Sequence, residues 1–213
     1  MSVIPKLASS LGRREEVPNQ QLAEQIASMD DMKAVQELVE NLANSNAQKD
    51  KNIQSDCIKV LYEIGERKPA LISSYAKEFI ALLDNKNNRL VWGAMTALDA
   101  ITLEDPKTMY NDLTKIIDVA DRGSVITKDH AVRILIKLAG IKQYADKAFA
   151  LLIEQLKKCP TNQLPMYAEN ALPIINDKNR ALFAKTLSSR LDEVEKESKR
   201  GRVEKVVKKL ETR

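Results

Sequence analysis

Apolar positions along the chain recur with the spacing of α-helices. From residue 20 onward, Leu, Ile, Val and Ala return every three or four positions, and short polar clusters interrupt them. No stretch has the strict alternation of apolar and polar residues that a half-buried strand requires. The pattern therefore predicts an all-α chain, with helices near residues 20–29, 32–45, 52–67, 70–84, 88–103, 107–121, 126–140, 143–158, 164–176, 178–196 and 199–211.

The predicted helices repeat with a period of 37 residues. One column of the repeat holds leucine at every step: Leu61, Leu98, Leu135 and Leu172. A second column holds only small side chains: Cys57, Ala94, Ala131 and Ala168. The same step links Ile64, Ile101, Leu138 and Ile175, and in the alternate helices Ala76, Leu113, Ala150 and Leu187. Each helix is thus predicted to bury the same stripe. Because periods of 20–50 residues are typical of repeat arrays, we favour a solenoid over a closed bundle.

One segment resembles the HEAT-repeat pattern. The stretch LLDNKNNRLVWGAMTALDAI, from Leu82 to Ile101, has the Leu-Leu end of one helix, a turn with Asp84 and Arg89, and an Ala-x-x-Ala-Leu-x-x-Ile helix. The likeness extends over roughly residues 20–195, although later units lose the polar signature and Pro173 should kink the last one. The resemblance implies a right-handed α-α superhelix of about five helix pairs, with a C-terminal capping helix. It also implies that the helices near 52–67, 88–103, 126–140 and 164–176 line the concave surface.

The C-terminal tail differs in charge from the rest of the chain. Residues 196–213 carry eight basic and three acidic residues, a net charge of +5, which leaves −1 for residues 1–195. Four apolar residues share one face of this tail: Val203, Val206, Val207 and Leu210. We interpret it as a capping helix, and contact with nucleic acid or an anionic surface is the alternative. The predicted organisation is an N-terminal extension (1–18, flexible or a short helix), a repeat domain (19–196) and a basic amphipathic helix (197–213).

Residues that could support catalysis are scarce. The chain has one histidine, His130, and two distant cysteines, Cys57 and Cys159, which we expect to be reduced thiols. Its six glycines never cluster into a phosphate-binding loop. Four carboxylates could share one face and are expected to be solvated: Glu63, Glu66, Asp99 and Glu104. These features argue against an enzyme, and they predict no cofactor and no metal site. Because we find neither a secretory signal nor a membrane span, we expect a cytoplasmic protein.

These observations favour a function in binding other molecules through an exposed surface. We expect a non-catalytic protein–protein interaction scaffold that binds another protein or peptide on its concave face. The candidate contact residues lie on the predicted concave helices, outside the apolar stripe: Lys59, Tyr62, Trp92, Thr96, Asp129, Arg133, Tyr167 and Asn170. The alternative is a nucleic-acid-binding HEAT-like protein of the alkyl-purine DNA glycosylase type. The charge of −1 over residues 1–195 argues against it, because phosphate neutralisation dominates such binding. The oligomeric state stays open.

Overall fold

The chain is helical in the part that the structure, a computed structural model, describes: residues 2–43 and 48–212. The α-helices of these residues are α1 (Val17–Met29), α2 (Met32–Ala43), α3 (Gln48–Arg67), α4 (Ala76–Leu82), α5 (Asn88–Ile101), α6 (Pro106–Asn111), α7 (Leu113–Arg122), α8 (Val125–Ala139), α9 (Ala145–Lys158), α10 (Leu164–Ala171), α11 (Arg180–Ser188) and α12 (Glu197–Glu211). Single 3-10 turns lie at Ile4–Lys6, Pro69–Leu71, Ser73–Tyr75, Leu172–Ile174 and Leu191–Glu193. No strand occurs in the described residues, so the predicted all-α class is confirmed there. None of these helices is long and apolar enough to cross a membrane.

Polar residues cap several helices at their N-termini. The Asn87 side chain accepts a hydrogen bond from the Arg89 N–H at 3.0 Å, at the start of α5. The Asp105 carboxylate accepts one from the Thr108 N–H at 3.1 Å, and Pro106 follows it in the first turn of α6. Each cap satisfies a backbone N–H that the first helical turn leaves without a partner.

Several predicted helices are shorter or divided in the structure. The predicted helix 107–121 is two helices, because α6 ends at Asn111 and α7 begins at Leu113. The junction residues are Asn111 and Asp112, and both residue types have low helix propensity because their side chains can hydrogen-bond to the backbone in non-helical conformations. The predicted helix 70–84 begins as two 3-10 turns before α4, and 178–196 separates into α11 and a 3-10 turn. The last two residues of the predicted helix 32–45 lie outside the described residues.

Pro173 ends a helix rather than kinking it. The α-helical part of the predicted segment 164–176 ends at Ala171, and a 3-10 turn follows at Leu172–Ile174. Proline has no N–H to donate, and its ring clashes with the carbonyl four residues earlier. As a result Leu172 and Ile175 are only half-buried, unlike the other members of their columns.

The repeat columns correspond to the core with few exceptions. Leu61, Leu98 and Leu135 are fully buried, and so is every described member of the small-residue column. Ala150 is the clear departure, since it is exposed on α9. That helix buries Ala148, Leu152, Ile153 and Leu156, so Ala150 lies off its buried face.

The chain divides into two compact units, unit 1 (residues 1–131) and unit 2 (residues 132–213). In unit 1, α3 packs against α1, α2 and α5, and α4 packs against α5. In unit 2, α12 packs against α10 and α11, while α9 packs against α11. The sequence-based divisions after residues 18 and 196 stay predictions.

Unit 2 contains a buried arginine that the sequence did not indicate. The Arg190 Nη1 group donates hydrogen bonds to the carbonyl oxygens of Leu156 at 2.7 Å and Cys159 at 3.0 Å, at the end of α9. Its Nε and Nη2 groups donate to Glu193 Oε2 at 2.8 and 2.6 Å. The last carbonyls of a helix have no partner within the helix, so Arg190 acts as a C-terminal cap for α9.

Helix α12 covers apolar surface of unit 2. Its four predicted apolar residues are all buried: Val203, Val206, Val207 and Leu210. Two polar contacts join the edge of α12 to the rest of unit 2. Lys199 Nζ lies 2.6 Å from Asn162 Oδ1, and Arg202 Nε lies 2.8 Å from Glu169 Oε1. The Arg202 guanidinium donates to Glu169 and keeps the pKa of that carboxyl below its ordinary value.

Candidate functional site

Unit 1 has a groove of about 560 Å³ between its N-terminal segment, α3 and α5. We call it the N-terminal groove, and its lining residues are Ala8, Ser9, Gly12, Arg13, Arg14, Glu15, Glu16, Asn19, Asn52, Ser55, Asp56, Ile58, Lys59, Arg89 and Trp92. Ligand pockets typically have volumes of roughly 300–1,000 Å³, so the groove can take a small molecule or a few residues of a peptide. Two of the sequence-predicted contact residues, Lys59 and Trp92, lie in it.

One wall of the groove is the N-terminal segment, which two side chains hold in place. The Asn19 Oδ1 atom accepts a hydrogen bond from the Ala8 N–H at 2.9 Å. The Asp56 carboxylate of α3 accepts bonds from the Ser9 N–H at 2.7 Å and from Asn19 Nδ2 at 2.7 Å. Leu7 is fully buried beneath this segment. The wall is therefore anchored to α3 through Asp56.

A left-handed turn at Gly12 brings two arginines into the groove. Gly12 has a φ of 68°, and the following Arg13 N–H donates to the Ala8 carbonyl at 2.8 Å. Residues with a Cβ rarely adopt this conformation, so glycine suits the position. Arg13 pairs with Glu15, and both Arg13 and Arg14 line the groove.

Lys59 forms the centre of an ion-pair cluster in the groove. Its ammonium nitrogen lies 3.0 Å from Glu16 Oε2 and 2.8 Å from Glu63 Oε1, and 4.8 Å from the centre of the Tyr62 ring. Arg67 Nη1 approaches the other Glu63 oxygen at 2.6 Å. Only 13% of the Lys59 side chain and 11% of the Glu63 side chain is exposed. The expectation that the carboxylate at position 63 is solvated is therefore wrong.

Both charges in this cluster are stabilised by their partners. Burial by itself lowers the pKa of Lys59, but its hydrogen bonds to Glu63 and Glu16 outweigh burial and raise that pKa above its ordinary value. Burial raises the pKa of Glu63, and hydrogen bonds from Lys59 and Arg67 outweigh it, so the net pKa is lowered. Both groups are consequently charged near neutral pH.

Trp92 provides an aromatic surface beside this cluster. Its ring centre lies 5.9 Å from that of Tyr62, with an angle of 52° between the ring planes. Tyr62 is buried, whereas Trp92 is only half-buried and lines the groove. The contact with Tyr62 fixes the indole, so the groove offers a held aromatic face to a bound partner.

Some charged side chains that line the groove have partners within unit 1, and others do not. All three carboxylates have partners: Glu15 pairs with Arg13, Glu16 with Lys59, and Asp56 accepts the hydrogen bonds from Ser9 and Asn19. Among the described side chains, the guanidinium groups of Arg14 and Arg89 have neither a hydrogen bond nor an ion pair. The unpaired charge of the groove is therefore positive.

Three of the remaining predicted contact residues, one each on α3, α5 and α10, are buried. The Thr96 hydroxyl donates to the Trp92 carbonyl at 2.9 Å, and both Thr96 and Tyr62 are buried. Tyr167, with 1% exposure, is also buried in unit 2. Side chains this deeply buried do not form an open binding surface, so their assignment to one is corrected.

The other three predicted residues do not join the groove. Asp129 is half-buried on the part of α8 within unit 1. Arg133 and Asn170 are exposed and belong to unit 2. The structure therefore places Lys59 and Trp92 together in one groove and leaves the rest of the predicted set outside it.

The groove includes residues that sequence reasoning did not select. Arg14 lies in the charged run Arg13-Arg14-Glu15-Glu16, to which we assigned no binding role, and Arg89 was identified only as the basic residue of the HEAT-like turn. Asp84, the turn acid of that pattern, contacts Lys115 Nζ at 2.6 Å. No sequence signal joined Arg14 to Arg89, because 75 positions separate them and only the fold brings them to one groove.

One close pair of groups with catalytic chemistry lies outside the groove. The His130 Nδ1 atom lies 2.8 Å from Asp99 Oδ2, so the buried Asp99 carboxylate, which was expected to be solvated, contacts the single histidine. Burial raises the pKa of the Cys57 and Cys159 thiols, which disfavours their nucleophilic thiolate forms. Among the described residues, no group of three or more His, Cys, Asp and Glu side chains could hold a metal ion.

Comparison with known families and with curated proteins adds no relative to this description. No family model matches the chain, and no curated protein matches it either. The inference about function accordingly depends on the groove itself.

Proposed function

We propose that the chain is a non-catalytic protein-binding scaffold whose N-terminal groove holds a segment of a partner protein. The observation that carries this proposal is the combination of a held, half-exposed Trp92 with the unpaired Arg14 and Arg89 in one groove. Aromatic and arginine side chains are enriched among the residues that dominate binding energy at protein interfaces. The cytoplasmic location stays a prediction.

We further propose that the helices form the HEAT-like right-handed superhelix of about five pairs that the repeat predicts. Packing within each unit supports it. In unit 1 the alternate helices α1, α3 and α5 pack in succession, with α2 and α4 against that row. In unit 2, α10 packs against α12 and α9 against α11. Direct contact between alternate helices is what stacked helix pairs produce.

Nucleic-acid binding is a second candidate, because unit 2 is strongly basic. Residues 132–213 contain 18 Lys and Arg against 10 Asp and Glu, a net charge of +8, whereas residues 1–131 have a net charge of −4. A protein that neutralises phosphates loses affinity steeply as salt rises. Binding of duplex DNA to unit 2 at low salt that weakens steeply at moderate salt would favour this candidate.

Site-specific photo-crosslinking in the cells that naturally contain the protein tests the scaffold function. The change Trp92→p-benzoylphenylalanine places a photoreactive ring in the groove. Glu78→p-benzoylphenylalanine, at an exposed position of α4 in the same unit, is the matched control. We expect discrete protein adducts from position 92 and none from position 78.

Two results would contradict this function. Equal protein adducts from both positions would indicate non-specific collision rather than a binding groove. Adducts at position 92 that disappear on nuclease digestion would indicate that the groove binds nucleic acid instead of a protein.

A further inference from the structure

We propose that the N-terminal groove recognises an extended acidic segment, in which carboxylates pair with Arg14 and Arg89 and an adjacent apolar side chain packs on Trp92. This inference rests on the proposed scaffold function and names the chemistry of the partner. It follows from the distribution of charge in the groove, from the position of Arg89 on α5, and from the geometry of Trp92.

The first argument is charge complementarity. The carboxylates of Glu15, Glu16 and Asp56 are engaged by partners within unit 1, and so are the cations of Arg13 and Lys59. Arg14 and Arg89 remain as the cations of the groove without a described partner. Guanidinium groups bind carboxylates through two parallel hydrogen bonds, so each can take one acidic side chain of a ligand.

The second argument is the position of Arg89. It lies in the first turn of α5, a 14-residue helix that has no acidic residue in that turn. The N-terminus of a helix carries partial positive charge, so a cation there is unfavourable unless an anion accompanies it. A bound carboxylate would interact favourably with both Arg89 and the helix terminus.

The third argument is the spacing between Arg89 and Trp92. Residues three apart on a helix project from the same face, and both Arg89 and Trp92 line the groove. An acidic residue on Arg89 therefore brings a nearby side chain of the ligand over Trp92. An aliphatic or aromatic side chain gains most from that contact.

The same groove disfavours a nucleic acid. A nucleic-acid backbone carries a charge at every phosphate, and the groove presents Glu15, Glu16 and Asp56 among its cations. A peptide can place carboxylates at two points and neutral residues elsewhere. An acidic peptide thus matches the mixture of positive and negative side chains in the groove better than a uniform polyanion does.

Selection from a random dodecapeptide phage library with the full chain provides the test. We expect enriched sequences that place Asp or Glu beside Leu, Phe, Tyr or Trp. A synthetic peptide of the enriched sequence should then shift the emission of Trp92, the one tryptophan of the chain, saturably. The variant Arg14→Gln/Arg89→Gln should weaken that binding at least tenfold. The control Lys33→Gln/Lys77→Gln removes two exposed cations of unit 1 outside the groove and should leave binding unchanged.

Several outcomes would overturn the inference. Selection of neutral or basic sequences, no selection at all, or equal binding by the Arg14→Gln/Arg89→Gln variant would each refute acidic recognition. Tighter binding of a dodecauridylate RNA that requires both arginines would assign the groove to nucleic acid. The scaffold function would survive the first three results if position 92 still crosslinks to a protein, so the two proposals fail separately.

Discussion

Replacement of Arg190 by methionine gives the sharpest stability prediction for unit 2. Methionine fills a similar volume but cannot donate to the carbonyls of Leu156 and Cys159, which lie 2.7 and 3.0 Å from Arg190 Nη1. Only 9% of the arginine side chain is exposed, so water cannot readily replace those hydrogen bonds. The end of α9 would lose its cap, and we expect this helix end to open more often.

The size of the effect follows from the groups left without partners. A hydrogen bond from a charged donor contributes roughly 1.5–3 kcal/mol, and the interaction of a cation with a helix C-terminus adds to it. Because such contributions are not additive, we expect Arg190→Met to lower the free energy of unfolding by about 3–5 kcal/mol. Arg190→Lys keeps the charge but cannot reach both carbonyls and Glu193, so its loss should be smaller. Glu193→Gln, at a half-exposed position, should cost less than either.

Two assays can measure this change. Urea denaturation followed by far-ultraviolet circular dichroism gives the free energy of unfolding. In a Cys57→Ala background, which matches the alanines of its column, the modification rate of the remaining Cys159 reports opening at the end of α9. Cys159 Sγ lies 3.8 Å from Arg190 Nη1. We expect Arg190→Met to accelerate modification more than tenfold.

The direction of this acceleration is informative. Burial raises the pKa of Cys159, and the charge of Arg190 partly opposes that effect. Removal of the arginine should therefore make the thiol intrinsically less reactive, so faster modification can come only from easier opening. An unfolding free energy within about 0.5 kcal/mol of the parent's, with an unchanged modification rate, would refute the capping argument.

Three other changes test other parts of the structure. A Cβ at Gly93 would lie 2.7 and 3.1 Å from Ile58 Cγ1 and Cγ2, so Gly93→Ala should destabilise the chain despite its better helix propensity. That sign should reverse in an Ile58→Ala background; a double-mutant cycle without a coupling of about 1–3 kcal/mol would contradict the close approach of α3 and α5. The lowered pKa of Glu63 means that its contribution to stability is complete above its ordinary value of 4.5 and is lost as pH falls below it. The stability difference between the parent and Glu63→Gln should shrink correspondingly in acid denaturation curves, and a constant difference would count against the Lys59–Glu63 pair. Deletion of residues 197–213 should lower stability and promote association visible by light scattering, whereas a stable, monomeric truncated chain would argue against a capping role for α12.

Some features of the fold follow from local pattern alone. Of the four leucines that the 37-residue spacing predicted to be buried, all but Leu172 are fully buried, and the apolar face of α12 was predicted residue by residue. This succeeds because the helix period decides which side chains share a face, and an apolar face must be buried wherever the helix packs. Where a proline or a polar junction altered the helix, as at Pro173 and Asp112, the pattern predicted the segment but not its end.

Other features depend on contacts between distant parts of the chain. Lys59 has the sequence position of a solvated lysine, yet Glu16 and Glu63 cover it, and Tyr167 has the position of a surface aromatic, yet it is buried. The placement of an amphipathic side chain depends on which neighbours pack beside it, and those neighbours come from other elements. The sequence by itself therefore determined the helical class and most of the buried apolar positions. Only the tertiary structure decided the groove, because Arg14 and Arg89 share it only once the N-terminal segment has docked on α3 through Asp56.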